Sequence, residues 1–237
     1  MKTLADKEDL IFSPPRLGCV LYVPGLPGGA SKTYDRTPYG DQGTIAGATW
    51  VRLPSGIWCL SFDGQDDYVS CGSVSALDMK STNFTVLLWI NSINTGVNKG
   101  AFSLVSSGGG HIWFKVPHSN IAILHAQDDA ANFAYRNGST PVSDGKWHCV
   151  AATIDWSQSQ GIHVYVDGEL DDGSFWGDLT NFNPAQFTLS DVRIGRGVQA
   201  NQVTNGLIGS VFMFNHILTP LEIRRYYERE KHLYGVW

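Results

Sequence analysis

The chain has 237 residues, enough for one large all-β domain or two small ones, and its 43% apolar and 12% aromatic content excludes a disordered polypeptide. A formal net charge of −5 without any long basic run argues against a nucleic-acid surface, which needs clustered Lys and Arg to replace phosphate counterions. No stretch of 18 apolar residues occurs, so no membrane span is expected.

In chain order, residues 1–16 lack hydrophobic periodicity and end on Ser13, Pro14 and Pro15, which reads as an extended arm. Their mixed charges and short apolar runs do not make a signal peptide, so synthesis in the cytoplasm is expected. GCVLYV (18–23) is a short strand, and the Gly- and Pro-rich piece 24–44 is a long loop. From there strand follows strand: ATWVRL, GIWCLSF, DYVSCG, NFTVLLWIN, AFSLVSS, HIWFKV, IAILHA, FAYRN, KWHCVAATID, GIHVYVDGEL, FTLSDVRIG and GLIGSVFMFN. Turn signals such as DG, GG, NG and SDG separate them, the pattern of a sandwich or barrel. In NFTVLLWI, Phe84, Val86, Leu88 and Ile90 line one side while Leu87 and Trp89 line the other, so this strand is expected to be central and covered on both faces.

FDGQDDYV (62–69) reads as a hairpin with Phe62 opposite Tyr68, because Asp63-Gly64 suits a tight turn. The same register sets Cys59 opposite Cys71, which makes a cross-strand disulfide geometrically possible. Buried free thiols are the alternative, and the missing export signal favours them. The four cysteines show no CxxC spacing, so a zinc site is not expected. Asp66 and Asp67 are the weak metal candidates; the segment fails the D-x-[DN]-x-[DN]-G spacing of a calcium loop.

The segment DDGSFWGD (171–178) has a loop's composition and puts Phe175 and Trp176 in the open between Asp172 and Asp178. Only the C-terminus reads as a helix. Thr219, Pro220 and Glu222 form a capping box, with Ile223, Tyr226, Tyr227 and Tyr234 at helical spacing and Gly235 as a stop. Arg224, Arg225 and Arg229 fall on its solvated face.

The order of motifs LSFDGQDDYVSCGS, STNFTVLLWIN, DGKWHCVAATID, GIHVYVDGEL, VRIGRG and GLIGSVFMFNHILTPLEI resembles the concanavalin A-like lectin/glucanase superfamily, in its laminin-G-like and pentraxin-like branch. The resemblance covers roughly residues 17–223. It implies an all-β jelly-roll sandwich of two antiparallel sheets over residues 17–218, flanked by the N-terminal arm (1–16) and by a short C-terminal helix and tail (219–237). It also implies that the aspartates of FDGQDDYV serve a turn. The pentraxin-like calcium site is not expected here: its first region reads SLVSSGGGHIW, with Ser106, Ser107 and glycines, and its second, RGVQANQVTNG, holds no carboxylate.

Glucanases of that superfamily carry E-x-D-x-x-E, and none of Glu8, Glu169, Glu222, Glu228 and Glu230 lies in such a motif, so no catalysis and no cofactor are expected. His111, His118 and His125, seven apart, read as ordinary strand and loop histidines rather than a metal set. For a sugar or protein ligand the candidates are Phe175, Trp176, Asp172, Asp178, Trp113 and His111, because exposed aromatics beside polar groups suit both. Two functions follow. One is a surface subunit of a larger assembly, such as a virion decoration, coat or spike, oligomeric and joined to other subunits through the arm and the C-terminal tail, with a final place on the particle's exterior. The other is a free lectin-like or adhesion module that binds glycan.

Overall fold

A computed structural model of the chain describes residues 17–25, 27, 29, 31–74, 76–77, 82–93, 99–116 and 120–237. The expected arm over residues 1–16 lies outside the described residues, as does His118. The strands begin with β1 (Cys19–Val23), β2 (Lys32–Thr33), β3 (Gly43–Ala46), β4 (Thr49–Arg52), β5 (Trp58–Asp63) and β6 (Tyr68–Ser70). There follow β7 (Phe84–Ile93), β8 (Lys99–Ser106), β9 (His111–Val116), β10 (Ile121–Gln127), β11 (Phe133–Pro141) and β12 (Asp144–Ile154). The last are β13 (Ile162–Val166), β14 (Glu169–Leu170), β15 (Phe175–Gly177), β16 (Leu189–Ile194) and β17 (Asn205–Phe214). They form an eight-stranded sheet, β14-β13-β12-β7-β17-β5-β4 with β1 added on β17, and a nine-stranded sheet, β15-β11-β10-β9-β8-β16-β6-β3-β2. All named strand pairs are antiparallel, and the two sheets make the expected jelly-roll sandwich.

Strand β7 shows how the layers are arranged. Phe84, Val86, Leu88 and Ile90 enter the core between the sheets. Leu87 and Trp89 point the other way, into a second core with Tyr22, Cys149, Phe212, Phe214 and Ile223. A strand that is apolar on both sides must be covered twice, because successive side chains leave on opposite faces.

The second cover is helix α1 (Pro220–Glu230). Its capping box forms as expected: the Thr219 hydroxyl accepts the Glu222 N–H, and the Glu222 carboxylate accepts the Thr219 N–H. Tyr226 packs on Phe212 and Phe214, and Tyr227 on Trp89. Arg224 pairs with Glu169 and Glu228 on the solvated side. A single 3-10 turn, Lys231–Tyr234, then ends at Gly235, whose φ of 72° is the left-handed stop that glycine permits.

Tyr234 anchors this cover. Its ring stacks on Trp89 with centroids 4.3 Å apart. Strand β17 bulges between Ile208 and Val211, which frees the Ser210 N–H to donate to Tyr234 Oη at 2.7 Å. Gly209 lies in the bulge because a Cβ there would come within 2.3 Å of that oxygen. Part of the expected tail is thus core of its own domain, whereas Trp237 is 94% exposed.

The hairpin expected at FDGQDDYV does not form. Strand β5 pairs with β4 and β17 in one sheet, while β6 pairs with β3 and β16 in the other. The segment is a crossover between sheets. The physical reason is that Phe62 and Val69 both fill the inter-sheet core, and they do so from opposite walls. The local turn chemistry survives: Gly64 has φ 81°, the Gln65 N–H donates to Asp63 at 2.8 Å, and the Asp63 N–H donates to Asp67 at 2.9 Å. Cys59 and Cys71 therefore stand on different sheets, and all four cysteines are free and buried, so the disulfide is excluded in favour of the thiol alternative. Burial pushes the Cys59 thiol up to about 11 and raises Cys71 as well.

Y234F would leave the buried Ser210 N–H without its acceptor and is expected to cost about 1–3 kcal/mol in urea denaturation. Y234A, which also empties the stack on Trp89, is expected to cost about 3–5 kcal/mol.

Candidate ligand-binding face

Among the described residues no α-helix covers the outer side of the nine-stranded sheet, and alternation decides what that side presents. On β9, Ile112, Phe114 and Val116 enter the inter-sheet core, so His111, Trp113 and Lys115 face out. On β10, Ala122, Leu124 and Ala126 face in, leaving Ile123, His125 and Gln127 outside. On β11, Ala134 faces in and Arg136 reaches inward to the Ile162 carbonyl, leaving Phe133, Tyr135 and Asn137 outside. On β15, Phe175 packs inward and Trp176 outward.

Register brings these residues into rows. Trp113 lies opposite His125, His125 opposite Tyr135, and Tyr135 opposite Trp176. The neighbouring row is His111, Gln127 and Phe133. The rings lie nearly parallel: His111 to His125 at 5.2 Å, His125 to Phe133 at 6.0 Å, His125 to Tyr135 at 5.9 Å, and Tyr135 to Trp176 at 6.3 Å between centroids. Cross-strand aromatic neighbours of this kind support one another. The result is an aromatic ladder across four adjacent strands.

Lys115 Nζ lies over it, 5.0 Å from the Trp113 ring and 5.9 Å from the Tyr135 ring. Burial lowers its pKa. Burial also lowers His111, with the Lys115 charge adding to the effect and a hydrogen bond to the Gly109 carbonyl opposing it. His125 is pushed down to about 3, first by burial and then by the Lys115 and His111 charges. Both imidazoles are therefore neutral near pH 7. Strands β9, β10, β11 and β15 contain no Asp or Glu.

The sequence candidates divide. Trp176, Trp113 and His111 come together on this face. Trp176 is 57% exposed at the ladder's end. Trp113 is its floor, 6% exposed and covered by Gly197, where a Cβ would come within 2.7 Å of the indole. Phe175 is not in the open. Residues 175–177 are a strand rather than a loop, so Phe175 alternates inward beneath Arg136, whose guanidinium carbon is 5.0 Å from its ring. Asp172 is occupied by the scaffold, accepting the Val164 N–H at 2.9 Å and bonding His163 Nδ1 at 2.6 Å. Asp178 caps a 3-10 turn by accepting from the Thr180 backbone and hydroxyl. Sequence reasoning missed Lys115, His125, Phe133 and Tyr135 as outward-facing members of this face. Their signal was the alternation of large or polar residues with apolar ones in HIWFKV, AILHAQ and FAYRN.

Elsewhere, Asp63, Asp66 and Asp67 each bring a carboxylate oxygen within 4.8 Å of the others at the crossover between sheets. Asp63 and Asp67 already accept backbone N–H groups there. Asp167 accepts the Cys149 N–H at 2.9 Å and bonds His148 Nδ1 at 2.8 Å in the YVDG turn.

A family model described as concanavalin A-like lectin/glucanases superfamily, of laminin G type, matches residues 63–224. The chain belongs to this laminin-G-like family. Sequence comparison with curated proteins finds no match. Among solved structures, the laminin-G-like chain is similar to the binding domain of Paraclostridial Mosquitocidal Protein 1, with TM-score 0.72 at 10% identity over 92% of this chain and 55% of that one. It is also similar to the botulinum neurotoxin serotype D ligand binding domain in complex with N-acetylneuraminic acid, with TM-score 0.64 at 15% identity over 89% and 50% of the two chains. A third is the sialidase of Trypanosoma rangeli, with TM-score 0.68 at 17% identity over 96% and 38%. At these identities the likeness is one of fold, and the laminin-G-like chain spans about half the length of the toxin domains.

The titration of His125 gives a test of this geometry. Its pKa falls from the ordinary 6.5 to about 3, so the unfolded chain takes up a proton that the folded one refuses. The stability it contributes is whole above pH 6.5 and is lost as pH falls toward about 3. H125Q, which cannot titrate, is expected to lose less urea midpoint than the parent over that window. Parallel profiles for the two proteins would contradict the buried, neutral imidazole.

Proposed function

We propose that this laminin-G-like domain is a non-catalytic carbohydrate-binding module whose ligand lies across the outer face of β9, β10, β11 and β15. The observation that carries the reading is the aromatic ladder from His111 through His125 and Tyr135 to Trp176. Sugar rings pack their C–H faces on aromatic side chains, and Asn137, Gln127 and the neutral imidazoles add hydrogen-bonding groups that fix orientation. Phe133 and Trp176 leave much of their ring surface in water, and an extended exposed aromatic face points to a ligand. A glycosidase reading has less support, because hydrolysis needs two facing carboxyl groups and these four strands supply none. The neighbours of like fold include toxin binding domains, one of them in complex with N-acetylneuraminic acid.

The test is a glycan array with the full chain, followed by calorimetry on the best sugar. W176A and Y135A are each expected to weaken binding about tenfold or more with the thermal midpoint little changed. Undiminished affinity in both variants would place the ligand elsewhere.

A second reading, a module carried as a surface subunit of a particle such as a virion, is supported by two apolar side chains on the helix side of the eight-stranded sheet. Leu17, at the rim of a cleft with Tyr226 and Arg229, is 83% exposed, and Trp237, beside the packed Val236, is 94% exposed. These would dock to a partner on the side opposite the ladder. Density-gradient separation of source material, followed by mass spectrometry, should then find the chain with a megadalton particle; its recovery only among small proteins would remove this reading.

A further inference from the structure

Lys115 is the single cation on the outward side of β9, β10, β11 and β15, since Arg136 turns inward to the Ile162 carbonyl. It is half-buried, lies over the Trp113 and Tyr135 rings, and makes no ion pair or hydrogen bond among the described residues. The four strands offer it no carboxylate, and their two histidines stay neutral near pH 7. Ring faces attract an ammonium group weakly and do not replace a counterion in a partly dehydrated position. A neutral sugar on the ladder would bury this charge further without compensating it. A ligand bearing one negative charge would compensate it.

We propose that the ligand is an acidic sugar whose carboxylate is received by Lys115 Nζ while its ring lies on the Tyr135 and Trp176 side of the ladder. This rests on the carbohydrate-binding reading above. The charge count favours a monoanion such as a sugar carboxylate. An ammonium is a compact point charge rather than the planar fork that grips phosphate at two points, and one cation matches a monoanion better than a dianion. Lys115 thus sets specificity, and the rings supply the sugar contact.

The experiment is titration calorimetry of the full chain with two matched pairs of soluble sugars. One pair is 3′-sialyllactose and lactose; the other is a glucuronic-acid disaccharide and its neutral glucose counterpart. The acidic member of at least one pair is expected to bind about tenfold or more tightly than its neutral partner, with the advantage shrinking as salt is added. K115Q should erase that preference and K115R should keep part of it, with circular dichroism confirming that both are folded. The pair that shows the preference tells a sialic acid from a uronic acid. Equal binding of acidic and neutral members, or a preference that survives in K115Q, overturns the role of Lys115 and leaves the carbohydrate reading standing. Failure of every sugar to bind overturns both.

Discussion

The structure depends on the burial of one strand on both of its faces. Strand β7 and its neighbours β12 and β17 carry apolar side chains above and below the sheet. The nine-stranded sheet covers one side. Nothing in a two-sheet sandwich covers the other, so the segment after β17 must do so, and α1 with Tyr234 is the result. The bulge at Gly209 and Ser210 is the local cost of seating Tyr234, and its hydrogen bond recovers the backbone N–H that the bulge releases. Glu230 is buried in the same region. Burial raises its pKa, and the Arg229 guanidinium at 2.9 Å offsets part of that shift.

That arrangement leaves the two sheets unequal. The outer face of the eight-stranded sheet is occupied by the chain's own helix. Among the described residues the outer face of the nine-stranded sheet has no such cover, and on four of its strands outward positions carry aromatic rings. Parallel rings on adjacent strands shield one another, and Lys115 lies above two of them. Burial and that positive charge hold His125 neutral, so the ladder offers stacking surface and uncharged imidazole together.

The carboxylates that surround this face belong to the frame. Asp172 and Asp178 flank Trp176 in sequence, yet one bonds the strand β13 backbone and the other caps a 3-10 turn. Their proximity along the chain suggested a site that the folded molecule does not build. Asp63 and Asp67 likewise shape the crossover turn, although that turn links two sheets and not two strands of a hairpin. The turn chemistry at Asp63 is legible in the sequence and the pairing of its flanking strands is not, whereas at residues 172–178 neither the carboxylates' scaffold roles nor the strand is.

The sequence alone determined what depends on near neighbours. The period-2 alternation of NFTVLLWI fixed which residues of β7 enter which core, and the capping box at Thr219 set the helix start, because both act over a few residues. The order of motifs was enough for the jelly roll. Tertiary structure decided which strands become partners, since pairing is settled by burial among residues far apart in the chain. It sent β5 and β6 to different sheets and so separated Cys59 from Cys71. It made an edge strand of residues 175–177 and turned Phe175 inward. It also aligned Trp113, His125, Tyr135 and Trp176 in one row, a juxtaposition of four strands that no single stretch of sequence displays.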